Sequence, residues 1–133
     1  VIFFNRPLAE RSKYIRKQLT QLHSKMRFIS AQYLALLDND LFITLGAQSN
    51  LGAARLYEKL HHIDSLNLNT PPAVNSLFPT LSPTDKQALQ EWSFFWDWDE
   101  KVGQVRWMTG WDVTDADVDQ FASGVLAQLG KDV

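Results

Sequence analysis

The sequence of 133 residues contains no cysteine and only three histidines, and this scarcity excludes most metal and redox sites. Without cysteine there is neither a disulfide nor a thiolate ligand for a metal. The histidines are His23, His61 and His62, and the adjacent pair diverges on a predicted helix, so we predict no metal site. The lack of cysteine fits a reducing compartment, and we therefore expect a cytoplasmic protein.

Long apolar runs and the common catalytic motifs are also missing. No segment approaches the roughly 18–20 apolar residues that span a bilayer, and the first residues lack the layout of a signal peptide, so we expect no membrane partner. The motifs GxxxxGK[ST], GxGxxG, HExxH and GxSxG do not occur. The chain begins at Val1 rather than at a methionine, and we interpret it as a piece of something longer.

Positive charge is concentrated at the start of the chain. Residues 1–27 have a net charge of +6, whereas the remaining residues have a net charge of −8. A basic segment of this kind suits an anion such as a phosphate, a nucleic acid, an acidic lipid surface or another chain. A solvated helix face would have the same composition. The seven basic residues are Arg6, Arg11, Lys13, Arg16, Lys17, Lys25 and Arg27.

The first half of the sequence predicts helices after one short strand. Residues 1–4, VIFF, form an apolar run typical of a buried strand, which would need a partner strand. The segment that follows has helical apolar spacing, with Pro7 in its first turn. Residues 28–40 are nearly all apolar, so this helix should be buried. Residues 41–63 predict a further helix, in which glycines permit close packing against a neighbour: Gly46 and Gly52.

The second half of the sequence predicts strands as well as helices. Residues 65–69 and 73–81 alternate between apolar and polar positions, as strands do. A helix is predicted over residues 82–92, a hairpin over 93–111, and a last helix over 114–130. The predicted N-terminal caps of the two helices are Ser82 and Thr114.

This order of elements predicts an α+β fold. We expect a small antiparallel sheet of three to four strands, with helices on one face and further helices before it. Residues 1–25 are interpreted as a strand and connecting helix left over from a larger domain, and residues 26–133 as a small C-terminal domain. Five tryptophans lie among acidic residues, where a nucleic-acid phosphate would be repelled, so we predict that most of them are core: Trp92, Trp96, Trp98, Trp107 and Trp111.

Three stretches resemble a known enzyme family. RKQLTQLHSKMRFISAQYLALLDNDL (residues 16–41), and above all its core SKMRFISAQ (24–32), is similar to a segment of low-specificity L-threonine aldolases and phenylserine aldolases. VGQVRWMTGWDVTDADVDQF (102–121) resembles the C-terminal pattern of that family. VIFFNRPLAERSKYIRK (1–17) resembles the strand and helix before the first stretch. The resemblance runs nearly end to end and is least distinctive over residues 67–100.

The resemblance implies a fold-type I enzyme that depends on pyridoxal 5'-phosphate and cleaves β-hydroxy-α-amino acids to glycine and an aldehyde. Family members are much longer, and their large domain, which carries the cofactor lysine, precedes the segment that matches Val1. None of the seven lysines of this chain matches that lysine. We therefore expect the chain alone to bind no cofactor and to be inactive. Its expected partners are the missing large domain and further copies, as a dimer or tetramer.

The resemblance also implies roles for three basic residues. Arg106, in the middle of a predicted strand, matches the arginine that binds the α-carboxylate of the amino acid substrate; the alternative is a local ion pair with Asp97 or Asp112. Arg27 matches a basic residue that approaches the cofactor phosphate across the subunit interface, and Lys25 is assigned to the same basic environment. A bidentate guanidinium suits a carboxylate better than an ammonium does, because its planar donors match the two oxygens.

Two other functions are compatible with the residues. The chain could be a binding module that uses its basic N-terminal helix on nucleic acid or anionic surfaces, although the preferred interpretation includes no nucleic acid. It could also be a self-associating piece, because residues 1–4 and the apolar face of residues 28–45 would be exposed without the large domain and would favour a dimer.

Overall fold

The structure is a computed structural model, and it describes residues 3–129. The chain divides into two compact units, with the boundary between Leu41 and Phe42. The domain boundary predicted between residues 25 and 26 stays a prediction. The helices are α1 (Arg6–Ala9), α2 (Ser12–Gln18), α3 (Met26–Leu37), α4 (Leu41–Leu60), α5 (Pro83–Trp92) and α6 (Asp115–Leu129); the strands are β1 (Ser76–Leu77), β2 (Trp96–Asp99) and β3 (Gln104–Met108).

The first unit consists of short helices with little packing between them. The side chain of Asn5 caps α1 by accepting a hydrogen bond from the backbone N–H of Leu8, and Pro7 lies in the first turn, as predicted. The chain then leaves the helix at Glu10, and Thr20 has a positive φ of 53°. The single helix predicted for the segment after residue 4 is thus divided into α1 and α2. Neither helix has a buried residue, and without a buried face a longer helix is not stabilised.

The prediction that residues 28–40 form a buried helix is wrong for this chain. Residues 26–37 do form α3, but none of them is buried. Leu34, for example, remains 68% exposed. Nor do Phe3 and Phe4 form part of a strand, whereas the other residues of the predicted strand, Val1 and Ile2, lie outside the described residues. Both segments are apolar, but within the described first unit no other residues pack over them.

The second unit is built around a three-stranded antiparallel sheet in the order β1–β3–β2. This confirms the predicted fold class, including the hairpin. Between β2 and β3 the chain turns through Gly103, whose φ is +68° and where a Cβ atom would lie 2.8 Å from the carbonyl oxygen of Leu81. Only glycine fits this turn without strain. Because the strand order is β1–β3–β2, the central strand is β3, and this strand carries Arg106.

One side of the sheet packs against α4, α5 and α6. Val105 and Trp107 of β3 point to this inner side and are almost fully buried. The Trp107 ring meets the rings of Phe95 and Phe121 edge to face, at centroid distances of 6.1 and 5.1 Å. The other buried residues of this core cluster are Ala53, Leu56, Tyr57, Leu60, Leu66, Leu68, Leu77, Leu81, Leu89, Val118, Ala122 and Val125.

The strand predicted over residues 65–69 is not formed, which corrects the sequence prediction. The segment starts with a 3₁₀ turn, Asp64–Leu66, and Asn67 then takes a left-handed conformation with φ 53°. Leu66 and Leu68 are nonetheless buried. The alternation of apolar and polar residues over 65–69 therefore reflects which side chains are buried and not the pairing of a strand. The second predicted strand, over residues 73–81, shortens to β1.

Capping and packing fix the helices of the second unit. Ser82 accepts a hydrogen bond from the backbone N–H of Asp85, and Thr114 caps α6 with Asp117, as predicted. The Thr114 hydroxyl and backbone N–H hold the pKa of the Asp117 carboxyl below its ordinary value. A Cβ atom on Gly52 of α4 would lie 3.2 Å from Cβ of Thr109, so the predicted close packing is confirmed there. It is wrong at Gly46, where nothing lies within 4 Å.

An ion-pair network links α4 to α6 on the surface. The guanidinium of Arg55 binds Asp119 through Nε and Nη2, at 3.0 and 2.8 Å, and also reaches Asp115. Lys59 adds a contact of 3.0 Å to Asp119. The hydrogen bonds from Arg55 and then Lys59 hold the pKa of Asp119 below its ordinary value.

Candidate functional site

Arg106 lies on the side of the sheet that faces away from the helices. Its neighbours in β3, Val105 and Trp107, are buried, so alternation along the strand turns Arg106 and Met108 to the opposite side. We call this side the outer face. It comprises Ser76 of β1, Trp96 and Trp98 of β2, and Arg106 and Met108 of β3.

The outer face is rich in exposed apolar surface. Trp96 and Trp98 are 70% and 58% exposed, and Met108 is exposed as well. This corrects the prediction that most tryptophans are core, because only Trp107 is buried. For Trp96 and Trp98 the reason is the position of β2 at the edge of the sheet, where every residue of the strand is exposed. A composition rich in tryptophan could not reveal which side of the sheet each ring would occupy.

Three contacts hold the Arg106 side chain, which is half-buried. Its Nε donates a hydrogen bond of 3.2 Å to the hydroxyl oxygen of Ser76, and its Nη2 lies 3.2 Å from the sulfur of Met108. The central carbon of the guanidinium lies 5.7 Å from the centre of the Trp98 ring, a cation–π distance. These contacts occupy Nε but leave Nη1 without an acceptor among residues 3–129.

Arg106 forms no ion pair with any carboxylate of the described chain. The alternative partners named from the sequence were Asp97 and Asp112. Asp97 instead accepts a hydrogen bond of 2.8 Å from Lys86. The charge of Arg106 is therefore balanced by no carboxylate within residues 3–129, and its terminal nitrogens can donate hydrogen bonds to an external anion.

The C-terminal end of β3 is anchored by Thr109, which supports the position of the arginine. The Thr109 hydroxyl donates a hydrogen bond of 2.6 Å to the backbone carbonyl of Ser49 in α4. Its backbone N–H donates to the carbonyl of Asn75, whose side chain in turn donates to the carbonyl of Thr109 at 2.8 Å. A side chain based on this strand therefore has a rigid support, which sites that orient a ligand need.

Arg27 and Lys25 lie in the first unit and Arg106 lies in the second, so the structure does not join the predicted residues within one compact unit. Lys25 precedes α3 in a left-handed conformation with φ 64°, and the Arg27 guanidinium lies 5.1 Å from the centre of the Phe28 ring. Neither cation forms an ion pair with a described residue. Their charge is therefore balanced by no carboxylate within residues 3–129.

Sequence reasoning missed two residues that contact Arg106: Ser76 and Trp98. Trp98 was within reach, because the predicted hairpin already placed the tryptophans of one strand across from Arg106. Ser76 lies 30 residues earlier in the chain, and no local signal pairs its strand with β3.

In the described chain, no group of histidine, aspartate and glutamate residues is arranged to hold a metal ion. No helix there is both long and apolar enough to cross a bilayer.

The fold and the outer face define a small α+β domain that presents an arginine without a carboxylate partner among residues 3–129. No protein-family model matches the chain. Two curated proteins do, and both are low-specificity L-threonine aldolases. The protein from Pseudomonas sp. (strain NCIMB 10558) is 34% identical over 131 residues, which are 97% of this chain and 37% of that protein. The one from Pseudomonas aeruginosa is 33% identical over 132 residues, 98% of this chain and 38% of the relative.

The chain is thus related to the low-specificity L-threonine aldolases, and the resemblance seen in the sequence is confirmed. It spans well under half the length of the curated relatives that it matches, which is consistent with a C-terminal segment of such an enzyme.

Proposed function

We propose that this chain is the C-terminal domain of an aldolase that uses pyridoxal 5'-phosphate to cleave β-hydroxy-α-amino acids of the L-threonine or phenylserine type. The observation that supports the proposal is the state of Arg106. Its guanidinium extends from the central strand on the outer face, with no carboxylate partner among the described residues. An arginine in this state is suited to bind the α-carboxylate of an amino acid.

The role of Arg106 is to fix the orientation of the substrate. The two terminal nitrogens of a guanidinium donate parallel hydrogen bonds to the two oxygens of a carboxylate, and this sets both position and angle. When bound, pyridoxal phosphate supplies the electron sink for the cleavage. The bond to be cleaved must stand perpendicular to the cofactor ring, and orientation of this kind contributes part of the roughly 7–11 kcal/mol available from positioning.

Arg27, with Lys25 beside it, is assigned to the cofactor phosphate. Both residues belong to the basic segment of residues 1–27, and both side chains are exposed. A phosphate dianion would neutralise charge that no carboxylate of the described chain balances. The lysine that binds the cofactor belongs to the large domain, so this chain would contribute the phosphate contact and the substrate arginine without being active alone.

The apolar surface of α3 is assigned to contacts with the large domain and with other copies of the enzyme. Phe28, Tyr33 and Leu34 are exposed on this helix. Exposed apolar side chains in this number are typical of a helix that lies at an interface. We therefore propose an oligomer, a dimer or tetramer, for the complete enzyme.

A fusion protein tests the proposal. The N-terminal part of the Pseudomonas aeruginosa aldolase, ending where this chain begins to match, is joined to this chain in one polypeptide, and aldehyde release from L-threonine and from phenylserine is measured. We expect the joined protein to release aldehyde and each part alone to release none. A joined protein that binds pyridoxal phosphate but leaves both amino acids intact contradicts the proposal, as does turnover by this chain alone.

A second candidate function is a module that binds polyanions through the first unit. All seven basic residues of residues 1–27 are exposed, and none forms an ion pair with a described residue. Binding of this kind releases counterions, so the affinity for duplex DNA would fall steeply between 50 and 200 mM salt, to the order of a thousandfold for about six phosphate contacts. Absence of DNA binding at low salt eliminates this candidate.

A further inference from the structure

The Arg106 side chain has a defined conformation because neighbouring strands on both sides contact it. On one side, β1 supplies the hydroxyl of Ser76, which accepts the hydrogen bond from Nε. Ser76 itself is buried, so this acceptor is fixed in place. On the other side, β2 supplies the Trp98 ring, which lies 5.7 Å from the guanidinium carbon. An arginine on an open sheet face would otherwise move among many rotamers.

The backbone of β2 gives Trp98 a special position. Trp96 pairs with Arg106 and Asp97 pairs with Val105, but it is Asp99 that pairs with Gln104, so Trp98 is an extra residue in a β-bulge. Bulges of this kind redirect a side chain. The Trp98 ring also packs on Phe78 at a centroid distance of 4.9 Å, which fixes its orientation.

Trp96 provides a natural comparison on the same strand. It is the direct cross-strand partner of Arg106, and it is exposed. Its ring nevertheless packs edge to face on Phe94 at 4.9 Å, and the cation–π contact of Arg106 is with Trp98. The cation–π contact of Arg106 is therefore not made by the residue directly opposite it in the sheet register. It is made by Trp98, the extra residue of the bulge.

We propose that Trp98 and Ser76 are positioning residues, which hold the Arg106 guanidinium with its terminal nitrogens directed to an incoming carboxylate. The effect of this positioning on catalysis depends on the proposed role of Arg106 in binding the substrate carboxylate. The ordering of the Arg106 side chain by Trp98 and Ser76 does not depend on that role. A guanidinium that is already ordered loses less conformational freedom when it binds, and the substrate therefore binds more tightly. Trp98 acts through Arg106 and need not touch the reacting atoms.

The positioning is measured directly on the 133-residue chain by NMR relaxation of the Arg106 Nε–H group. In the natural sequence we expect a high order parameter and slow exchange of the Nε proton with water. In Trp98→Leu and in Ser76→Ala the order parameter should fall below about 0.6, the range of flexible groups. Trp98→Phe, which keeps a ring, should restore most of the order.

Trp96→Leu is the matched control, because it removes an exposed tryptophan from the same strand and the same face. Its effect on the Arg106 order parameter should be small. Equal loss of order in Trp96→Leu and Trp98→Leu overturns the proposal, and so does unchanged order in Trp98→Leu. Trp98 is exposed, so its replacement should leave the fold intact, and the dispersion of the amide spectrum checks this.

The consequence for catalysis is measured on the joined protein described above. Trp98→Leu should raise KM for L-threonine about three- to tenfold and leave kcat nearly unchanged, whereas Trp96→Leu should alter neither. If Arg106 becomes mobile and KM does not change, the positioning is correct and the proposed carboxylate role is wrong. If Arg106 stays ordered, the positioning is wrong whatever the kinetics show.

Discussion

The two compact units of this chain are both rich in apolar side chains, yet only the second has a core. In the first unit, none of the residues of α1, α2 or α3 is buried, and Phe28, for example, is 56% exposed. In the second unit, Trp107 is only 3% exposed and is surrounded by residues from the helices and the sheet. The difference indicates that apolar content alone does not make a core, because the helices also need a surface to pack on.

The strongest test of this contrast compares one aromatic residue from each unit. Trp107→Ala should lower the free energy of unfolding of the second unit by about 3–5 kcal/mol, because it leaves a large cavity in the core. Phe28→Ala should change it by less than about 0.5 kcal/mol, since Phe28 is exposed. Urea unfolding followed by far-ultraviolet circular dichroism measures both. Similar costs for the two substitutions would invalidate the distinction between the units.

The exposed helix α3 offers a second test, through self-association. We expect the chain to associate through the apolar surface of this helix, and Phe28→Ser combined with Leu34→Ser should weaken the association at least a hundredfold, from the roughly 1.5–3 kcal/mol that each buried side chain contributes. Leu126→Ser, which changes an exposed leucine of α6, serves as the control and should have little effect. Sedimentation equilibrium measures the change, and a chain that is monomeric at all concentrations would contradict the expectation.

Helix α4 contains the same contrast on a smaller scale, in its two glycines. Gly46→Ala should stabilise the chain by about 0.5–1 kcal/mol, because alanine favours the helix and nothing lies near the added methyl group. Gly52→Ala should gain less or destabilise, since the methyl group would press on Thr109. Thermal unfolding should therefore show a larger rise in Tm for Gly46→Ala than for Gly52→Ala. A larger gain at Gly52 would show that α4 does not pack closely on the end of β3.

The smallest effect should come from the surface ion pairs between α4 and α6. Hydrogen bonds from Arg55 and Lys59 lower the pKa of Asp119, so the charged carboxylate stabilises the fold above its ordinary pKa. This contribution is lost as the pH falls through the lowered pKa. Asp119→Asn should therefore lower Tm slightly at pH 7, and the difference should shrink as the pH falls below about 4. Asp112→Asn is the control, and an equal pH-dependent loss there would refute the assignment.

Local patterns in the sequence predicted most of the second unit. The caps at Ser82 and Thr114 and the hairpin are short-range features, and the structure confirms them. The segment at Leu66 and Leu68 was different, because burial without strand pairing produces the same alternation as a strand. That distinction depends on contacts between distant residues, which one sequence does not encode locally.

The candidate site was predictable only in part, for the same reason. The family resemblance singled out Arg106, and the hairpin predicted over residues 93–111 correctly placed it on a strand. Its contact with Ser76 depends on the pairing of β1 with β3, and its contact with Trp98 depends on a bulge. Neither has a signature in the sequence, so the surroundings of the arginine could be found only in three dimensions.

The most direct test of the account is the kinetic effect of replacing Arg106 in the joined aldolase. Arg106→Ala should lower kcat/KM for L-threonine by about a hundredfold or more, which corresponds to the loss of charge-assisted hydrogen bonds to one carboxylate. Arg106→Lys should recover only a small part, because an ammonium cannot form the paired hydrogen bonds. If both variants cleave L-threonine with unchanged kcat/KM, Arg106 does not bind the substrate carboxylate, and the central claim is wrong.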